Sequence, residues 1–373
     1  AYKAGGDKKN LEAITNGVGK LIPRALGFNG GIPSFSEYLG PVYASVETEY
    51  CTYAYFENSL IHIAEATGDT LYVDLVERIL FNGAQGARKK DERAIAYMTS
   101  GNQIHATWES GNYISDMQEY APVYPTSCCS ATSCWVLPDF VRGMAMRGED
   151  GLYLTAYGPC EIHAGDLRIA EDTAYPFRDT IRFTIHADED VPETIHFRVP
   201  GWCKNASVAV NGETVAPAAG GWFRATLAPN SVNLIEIAYD NTPRVHPVPW
   251  PTPRLPEDAW KCVRFCSRSE TGLGNLNDED MIFEPRCTLT MGPILLCRSK
   301  LIGNTEEEMF DAPSVFGQDC ALALEDETTL GHQCVFKAAL TTPAGTLETR
   351  VCDFASGTNV ISAGDAHLFS IWF

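Results

Sequence analysis

The residues best suited to chemistry are two adjacent cysteines, Cys128 and Cys129, in the run Pro125-Thr126-Ser127-Cys128-Cys129-Ser130, together with Glu49-Tyr50-Cys51 far upstream. Adjacent cysteines do not readily bond to each other, because disulfide geometry asks for a backbone separation that a single trans peptide barely allows. Such a pair points to separate partners or to a shared metal. Glu49, Cys51, Cys128 and Cys129 supply three sulfurs and one carboxylate, a four-coordinate set that suits zinc. The thiolate is the form of cysteine that binds metals and attacks carbon, and a metal keeps it deprotonated at neutral pH. Three thiolates and a carboxylate around a dication leave the site negatively charged. A sulfur there stays electron-rich, so one ligand could double as a nucleophile. A closed structural zinc and a set of ordinary disulfides are the competing readings of the same residues.

Three further residues lie near this set. Glu37 sits in Ser34-Phe35-Ser36-Glu37-Tyr38, where flanking aromatics could raise its pKa and suit it to general acid work; its bland reading is a solvated surface charge. Glu47 is an alternative zinc ligand. Tyr97, in Ala94-Ile95-Ala96-Tyr97-Met98, could line a pocket or simply pack. His62 and His105 read as structural. The sequence has no glycine-rich phosphate loop, no G-x-S-x-G elbow and no H-E-x-x-H helix, which sets aside nucleotide enzymes, serine hydrolases and the common metalloproteases.

The elements that must hold these residues change character along the chain. Residues 1–148 read as helical. Leu11, Ile14, Val18 and Leu21 recur at helical spacing, Thr52–Ala66 and Leu71–Leu80 continue the pattern, and a further helix is expected from about Ser130 to Met146 with Pro138 inside it. Gly27–Tyr43 reads as a long loop, the kind that often carries function. After Gly148 the period becomes two: Gly151–Tyr157, Thr180–His186, Thr194–Val199, Ser207–Val210, Trp222–Thr226 and Asn233–Ala238 alternate apolar and polar residues between turns such as Asn211-Gly212. The proline-rich segment His246–Pro256 marks a boundary, and Cys287–Cys297, Val335–Leu340 and His367–Phe373 read as strands. The expected fold is an α + β multidomain chain. It comprises a helical domain over 1–148, antiparallel β-sandwiches over 149–250 and 251–358, and a terminal strand over 359–373 for which a return to the first sandwich is one expectation.

Composition narrows the partners. A net charge of −20 repels nucleic-acid backbones and is compatible with a neutral, sugar-like ligand. No apolar run approaches the ~20 residues of a membrane span, so the chain reads as soluble. Thirteen cysteines are many for a reducing compartment. Setting aside Cys51, Cys128 and Cys129 leaves ten (Cys134, Cys160, Cys203, Cys262, Cys266, Cys287, Cys297, Cys320, Cys334 and Cys352), enough for five disulfides. With the glycosylation sequon Asn205-Ala206-Ser207, they favour a secreted protein.

The ordered set of Glu49-Tyr50-Cys51, Tyr72–Asn82, Cys128-Cys129, Phe197–Gly212 (FRVPGWCKNASVAVNG) and Thr290–Cys297 (TMGPILLC) resembles the β-L-arabinofuranosidases of glycoside hydrolase family 127. The resemblance spans most of residues 1–300. It implies an (α/α)6 barrel followed by β-sandwich domains, and a retaining glycosidase acting on terminal β-L-arabinofuranosyl or similar sugars of carbohydrates or glycoprotein glycans. Carried over, Cys128 is the nucleophile, Glu49, Cys51 and Cys129 hold zinc beside it, Glu37 is the acid/base and Tyr97 a substrate contact. Two departures stand out: Ser130-Ala131-Thr132 replaces the family's Pro-Pro-Asn, and the Glu37-to-Glu49 spacing is short. Residues 1–148 hold only the last helical hairpins of such a barrel. The resemblance therefore implies that a preceding segment or another chain completes it, or that the protein is a non-catalytic, disulfide-rich structural or carbohydrate-binding glycoprotein descended from the family.

Overall fold

The computed structural model describes residues 2–35, 38–39, 48–103, 120–122, 128–188, 194–215, 221–248, 253–254, 282–283, 286–310, 320–324, 334–342, 345–359, 369–371 and 373. It is an α + β structure with several mainly antiparallel sheets and few helices. Two compact units emerge: residues 1–56, 78–136 and 243–373 form one, and residues 57–77 and 137–242 the other.

The helices follow the expected periodicity. They are α1 (Lys8–Ala25), α2 (Tyr50–Thr67), α3 (Thr70–Arg78), α4 (Cys128–Thr132) and α5 (Val136–Gly143), with the short strands β1 (Thr48–Glu49), β2 (Met98–Thr99) and β3 (Asn102–Gln103) between them. Asp7 caps α1 by accepting from Lys9 N at 3.0 Å. The helix expected over 130–146 is instead two. α4 ends where Trp135 N reaches back to Thr132 O at 2.9 Å, and Pro138 falls in the first turn of α5, where its missing N–H leaves no bond unmade.

In the second unit the period-two segments become a sandwich. The strands are β4 (Ala145–Gly148), β5 (Gly151–Leu154), β6 (Cys160–Ala164), β7 (Leu167–Thr173), β8 (Thr180–Ala187), β9 (Thr194–Val199), β10 (Ala206–Val210), β11 (Glu213–Val215), β12 (Gly221–Thr226) and β13 (Ser231–Tyr239). One sheet runs β11-β10-β13-β8-β7-β6 and the other β12-β9-β5-β4. Ile181, Phe183 and Ile185 of β8 alternate inward with Ile235 and Ile237 of β13, and Phe183 meets Phe197 of β9 with ring centroids 5.0 Å apart. The β10–β11 hairpin turns on Asn211-Gly212, both at positive φ (51° and 85°), which suits that dipeptide to a tight hairpin turn.

The strands of the first unit are β14 (Arg244–Pro247), β15 (Cys287–Met291), β16 (Ile294–Ser299), β17 (Cys320–Leu324), β18 (Val335–Thr342), β19 (Gly345–Asp353) and β20 (Phe369–Ser370), with helix α6 (Phe354–Thr358) between the last two. They pair in the order β14-β15-β16-β19-β18-β17. Cys287–Cys297, part of a stretch read as strand-rich, forms a hairpin that turns at Gly292-Pro293. The terminal strand β20 pairs with β16 and with β3, not with the strands of 149–242, because its partners lie in its own unit. Asn82, in the π-helical segment Ile79–Ala84 that continues α3, is tied to this sheet, donating to Pro293 O at 2.9 Å and accepting from Leu295 N at 2.7 Å.

Ten cysteines (Cys51, Cys128, Cys129, Cys134, Cys160, Cys203, Cys287, Cys297, Cys334 and Cys352) are free thiols, so no disulfide framework is seen among the described residues. Cys203, Cys287, Cys297, Cys334 and Cys352 are buried in the core, Cys51, Cys128 and Cys129 belong to the cluster described next, Cys160 is half-buried and Cys134 is exposed. Among the described residues no helix is long and apolar enough to cross a membrane.

Candidate metal and catalytic centre

Glu49 and Cys51 straddle a strand-to-helix junction. Glu49 pairs with Met98 across β1–β2, and Tyr50 N donates to Tyr97 O at 2.9 Å just as α2 begins. Ser34, in the short strand Ser34–Phe35 that pairs with Tyr38–Leu39, accepts through Oγ from Glu49 N at 2.7 Å and from Thr52 Oγ1 at 3.0 Å, fixing the junction from the other side. Cys128 and Cys129 open α4 and bring their sulfurs to the same point.

The four ligand atoms lie within 4.8 Å of one another. Cys51 Sγ and Cys129 Sγ are 3.2 Å apart, and the thiols of Cys129 and Cys128 are directed at Glu49 Oε1, at 3.4 and 3.7 Å. Thiolates bound to one tetrahedral zinc stand about 3.8 Å apart, so the donor set has the spacing and the chemistry of a cation site. Glu49, Cys51 and Cys129 are buried, whereas Cys128 is exposed. The cluster thus has three enclosed ligands and one thiol open to a reactant.

The electrostatics set the three thiols apart. Cys51 is held below the ordinary thiol range, first by hydrogen bonding from Cys129 and then from Thr132, whose Oγ1 donates at 3.3 Å, against burial and the Glu49 charge. Burial pushes both Cys128 and Cys129 up, and the neighbouring Cys51 and Glu49 charges add to it. Left to themselves the sulfurs share their protons; a bound cation would supply the charge that releases them.

Tyr97 is fully buried, and its hydroxyl lies 2.8 Å from Cys128 Sγ. Glu49, Cys51, Cys128, Cys129 and Tyr97, all singled out in the sequence, thus lie together in one constellation. Glu37, Glu47 and His105 fall outside the described residues. His62 lies on the surface beside Glu65, and Asn205 is exposed just before β10. Ser34 and Thr132 were not singled out. Thr132 stands one turn beyond Cys128-Cys129, and Ser34 lies within Gly27–Tyr43, the stretch read from the sequence as a long loop.

Residues 151–240 match the family model described as beta-L-arabinofuranosidase, GH127 middle domain. A search of curated proteins found no match. Three solved structures are similar over 100% of this chain, each at 16% identity: a glycoside hydrolase (TM-score 0.74), a GH127 beta-arabinofuranosidase (0.73) and a GH127 beta-L-arabinofuranosidase from Geobacillus stearothermophilus T6 (0.70). The chain spans 57% to 63% of their length. The fold is that of these glycoside hydrolases, and the resemblance to family 127 read from the sequence holds.

Proposed function

We propose that this chain is the C-terminal portion of a retaining glycoside hydrolase that releases terminal β-L-arabinofuranosyl-type sugars from carbohydrates or glycoprotein glycans. The observation that carries this reading is the convergence of Glu49, Cys51, Cys128 and Cys129 on one point with the Tyr97 hydroxyl on Cys128. The family model over 151–240 and the fold similarity support it.

In this reading Glu49, Cys51, Cys128 and Cys129 hold a zinc ion. When bound, the dication supplies the positive charge that keeps the thiols ionised in a buried site. Cys128, the exposed thiol of the set, is the nucleophile. Its Sγ bonds to the anomeric carbon as the glycosidic C–O bond breaks, and Glu37 protonates the departing oxygen. Glu37 then takes a proton from water, whose oxygen displaces sulfur from the opposite side, so two inversions retain configuration. Tyr97 orients the sulfur through its 2.8 Å contact and borders the sugar.

The helices of the first 148 residues are the last hairpins of an (α/α)6 barrel, completed by a preceding segment or another chain. The protein is secreted, with Asn205 as its glycosylation acceptor. The test is hydrolysis of an aryl β-L-arabinofuranoside by the purified protein, abolished by Cys128→Ser. A second reading is a non-catalytic structural or carbohydrate-binding relative of the family. It predicts a folded protein with no turnover.

A further inference from the structure

Apart from the metal cluster, one cysteine pair stands out. Cys297 of β16 and Cys352 of β19 are directly opposite in antiparallel register. Both side chains are fully buried, and the two Sγ atoms are 4.0 Å apart. Opposed antiparallel residues keep their Cα atoms about 4.5–5.5 Å apart, within the roughly 4.4–6.8 Å that a disulfide spans. The backbone already has the required placement, so only rotation about the two Cα–Cβ bonds remains.

The surroundings direct the sulfurs toward each other. Gly357 of α6 lies over both: a Cβ there would sit 2.5 Å from Cys297 Sγ and 2.9 Å from Cys352 Sγ. Neither thiol can swing to that side, and the hydrogen bond each makes is to the other. Cys334, the third sulfur of the neighbourhood, is held away. Its thiol faces Asp353 Oδ1 at 3.7 Å, and its N–H donates to the same oxygen at 3.2 Å. Asp353 is fixed in turn because its Oδ2 accepts from Ser356 N at 2.9 Å, capping α6.

We propose that Cys297 and Cys352 are a modification site: they join as a cross-strand disulfide when the chain folds in the presence of a small-molecule disulfide such as oxidised glutathione. One cysteine thiolate attacks the glutathione disulfide, giving a mixed disulfide and one reduced glutathione. The second cysteine thiolate then displaces the other glutathione. The two cysteines lose two protons and two electrons, and the oxidant leaves as two thiols. Because both sulfurs are enclosed in the folded sheet, the exchange takes place while the sheet forms or opens. The bond ties together β16 and β19, which are neighbours at the centre of their sheet.

The test uses the full chain by two routes: refolding from the reduced, denatured state in glutathione buffer, and incubation of the folded protein with oxidised glutathione in urea below its unfolding transition. Thiols are then alkylated under denaturing, non-reducing conditions and the peptides mapped by mass spectrometry. The expected result is a peptide linked through Cys297 and Cys352 and an alkylation count lower by two. Both effects should be absent with excess reductant and in the Cys297→Val, Cys352→Val double variant, which keeps the core filled. Full alkylation of both residues by both routes, or linkage of Cys352 to Cys334, overturns the proposal.

Discussion

Arg198 offers the sharpest test of how the sandwich unit is held. It is fully buried, and its guanidinium meets the carboxylates of Asp74 and Glu77 and donates to Thr155 O. Glu77 is fully buried too and accepts from Tyr175 OH at 2.7 Å, while Asp74 accepts from Gly201 N at 2.9 Å. Burial pushes both carboxyls up, and the Arg198 charge draws them back. For Arg198 burial opposes the charge, but Glu77 and Asp74 outweigh it and keep it protonated. Arg198→Met fills much of the volume but strands two carboxylates. Breaking a buried ion pair from one side costs about 3–5 kcal/mol. At roughly 2–4 °C per kcal/mol for a domain near 150 residues, Tm should fall by about 6–20 °C. Circular dichroism melts and urea titrations at pH 7 measure this. The deficit should narrow at pH 5, where the stranded carboxyls take up protons, and Asp74→Asn with Glu77→Gln should recover most of it. A shift below about 1 kcal/mol, or a deficit independent of pH, would refute this account of the cluster.

Three other outcomes follow from single side chains. Glu57 is fully buried with no hydrogen-bond partner for either oxygen among the described residues, and burial, then the Asp139 charge, pushes its pKa up to about 9. The fold binds this proton more tightly than the unfolded chain does, so its stability should fall as pH rises from the unfolded pKa toward 9. Glu57→Gln should flatten that slope and stabilise by about 2–4 kcal/mol at pH 7, as read from urea midpoints across pH; an unchanged slope would count against it. In Gly83→Ala the new methyl would meet the Tyr53 ring, whose hydroxyl lies 3.0 Å from Asn29 Nδ2 and 2.9 Å from Thr99 Oγ1. The expected loss is about 1–3 kcal/mol in chemical denaturation. Tyr97→Phe should lower kcat for the aryl glycoside by about ten- to hundredfold with stability nearly unchanged; equal rates would remove Tyr97 from the site.

How much of this was legible depended on the range of the signal. Period-two segments and the Asn211-Gly212 turn are local, so β8, β9, β13 and the β10–β11 hairpin could be read directly. Glu49, Cys51, Cys128 and Cys129 could be grouped because four metal-binding side chains of matching chemistry are rare by chance. Pairing between distant strands could not be read. That β16 lies between β15 and β19, and that β20 joins β3, are set by long-range packing with no local mark. The Arg198 cluster was missed for the same reason: Asp74 and Glu77 look like ordinary helix-surface charges until β9 covers them. The disulfide expectation rested on a cysteine count, whereas burial and strand register decide which sulfurs can meet.

The central claim is that Glu49, Cys51, Cys128 and Cys129 are one zinc site. Metal analysis of the purified protein tests it most directly. The account predicts one zinc per chain, retained through dialysis and lost in the Cys51→Ser, Cys129→Ser double variant. A metal-free protein, or one isolated with Cys51 and Cys129 joined as a disulfide and unable to take up zinc after reduction, would contradict it.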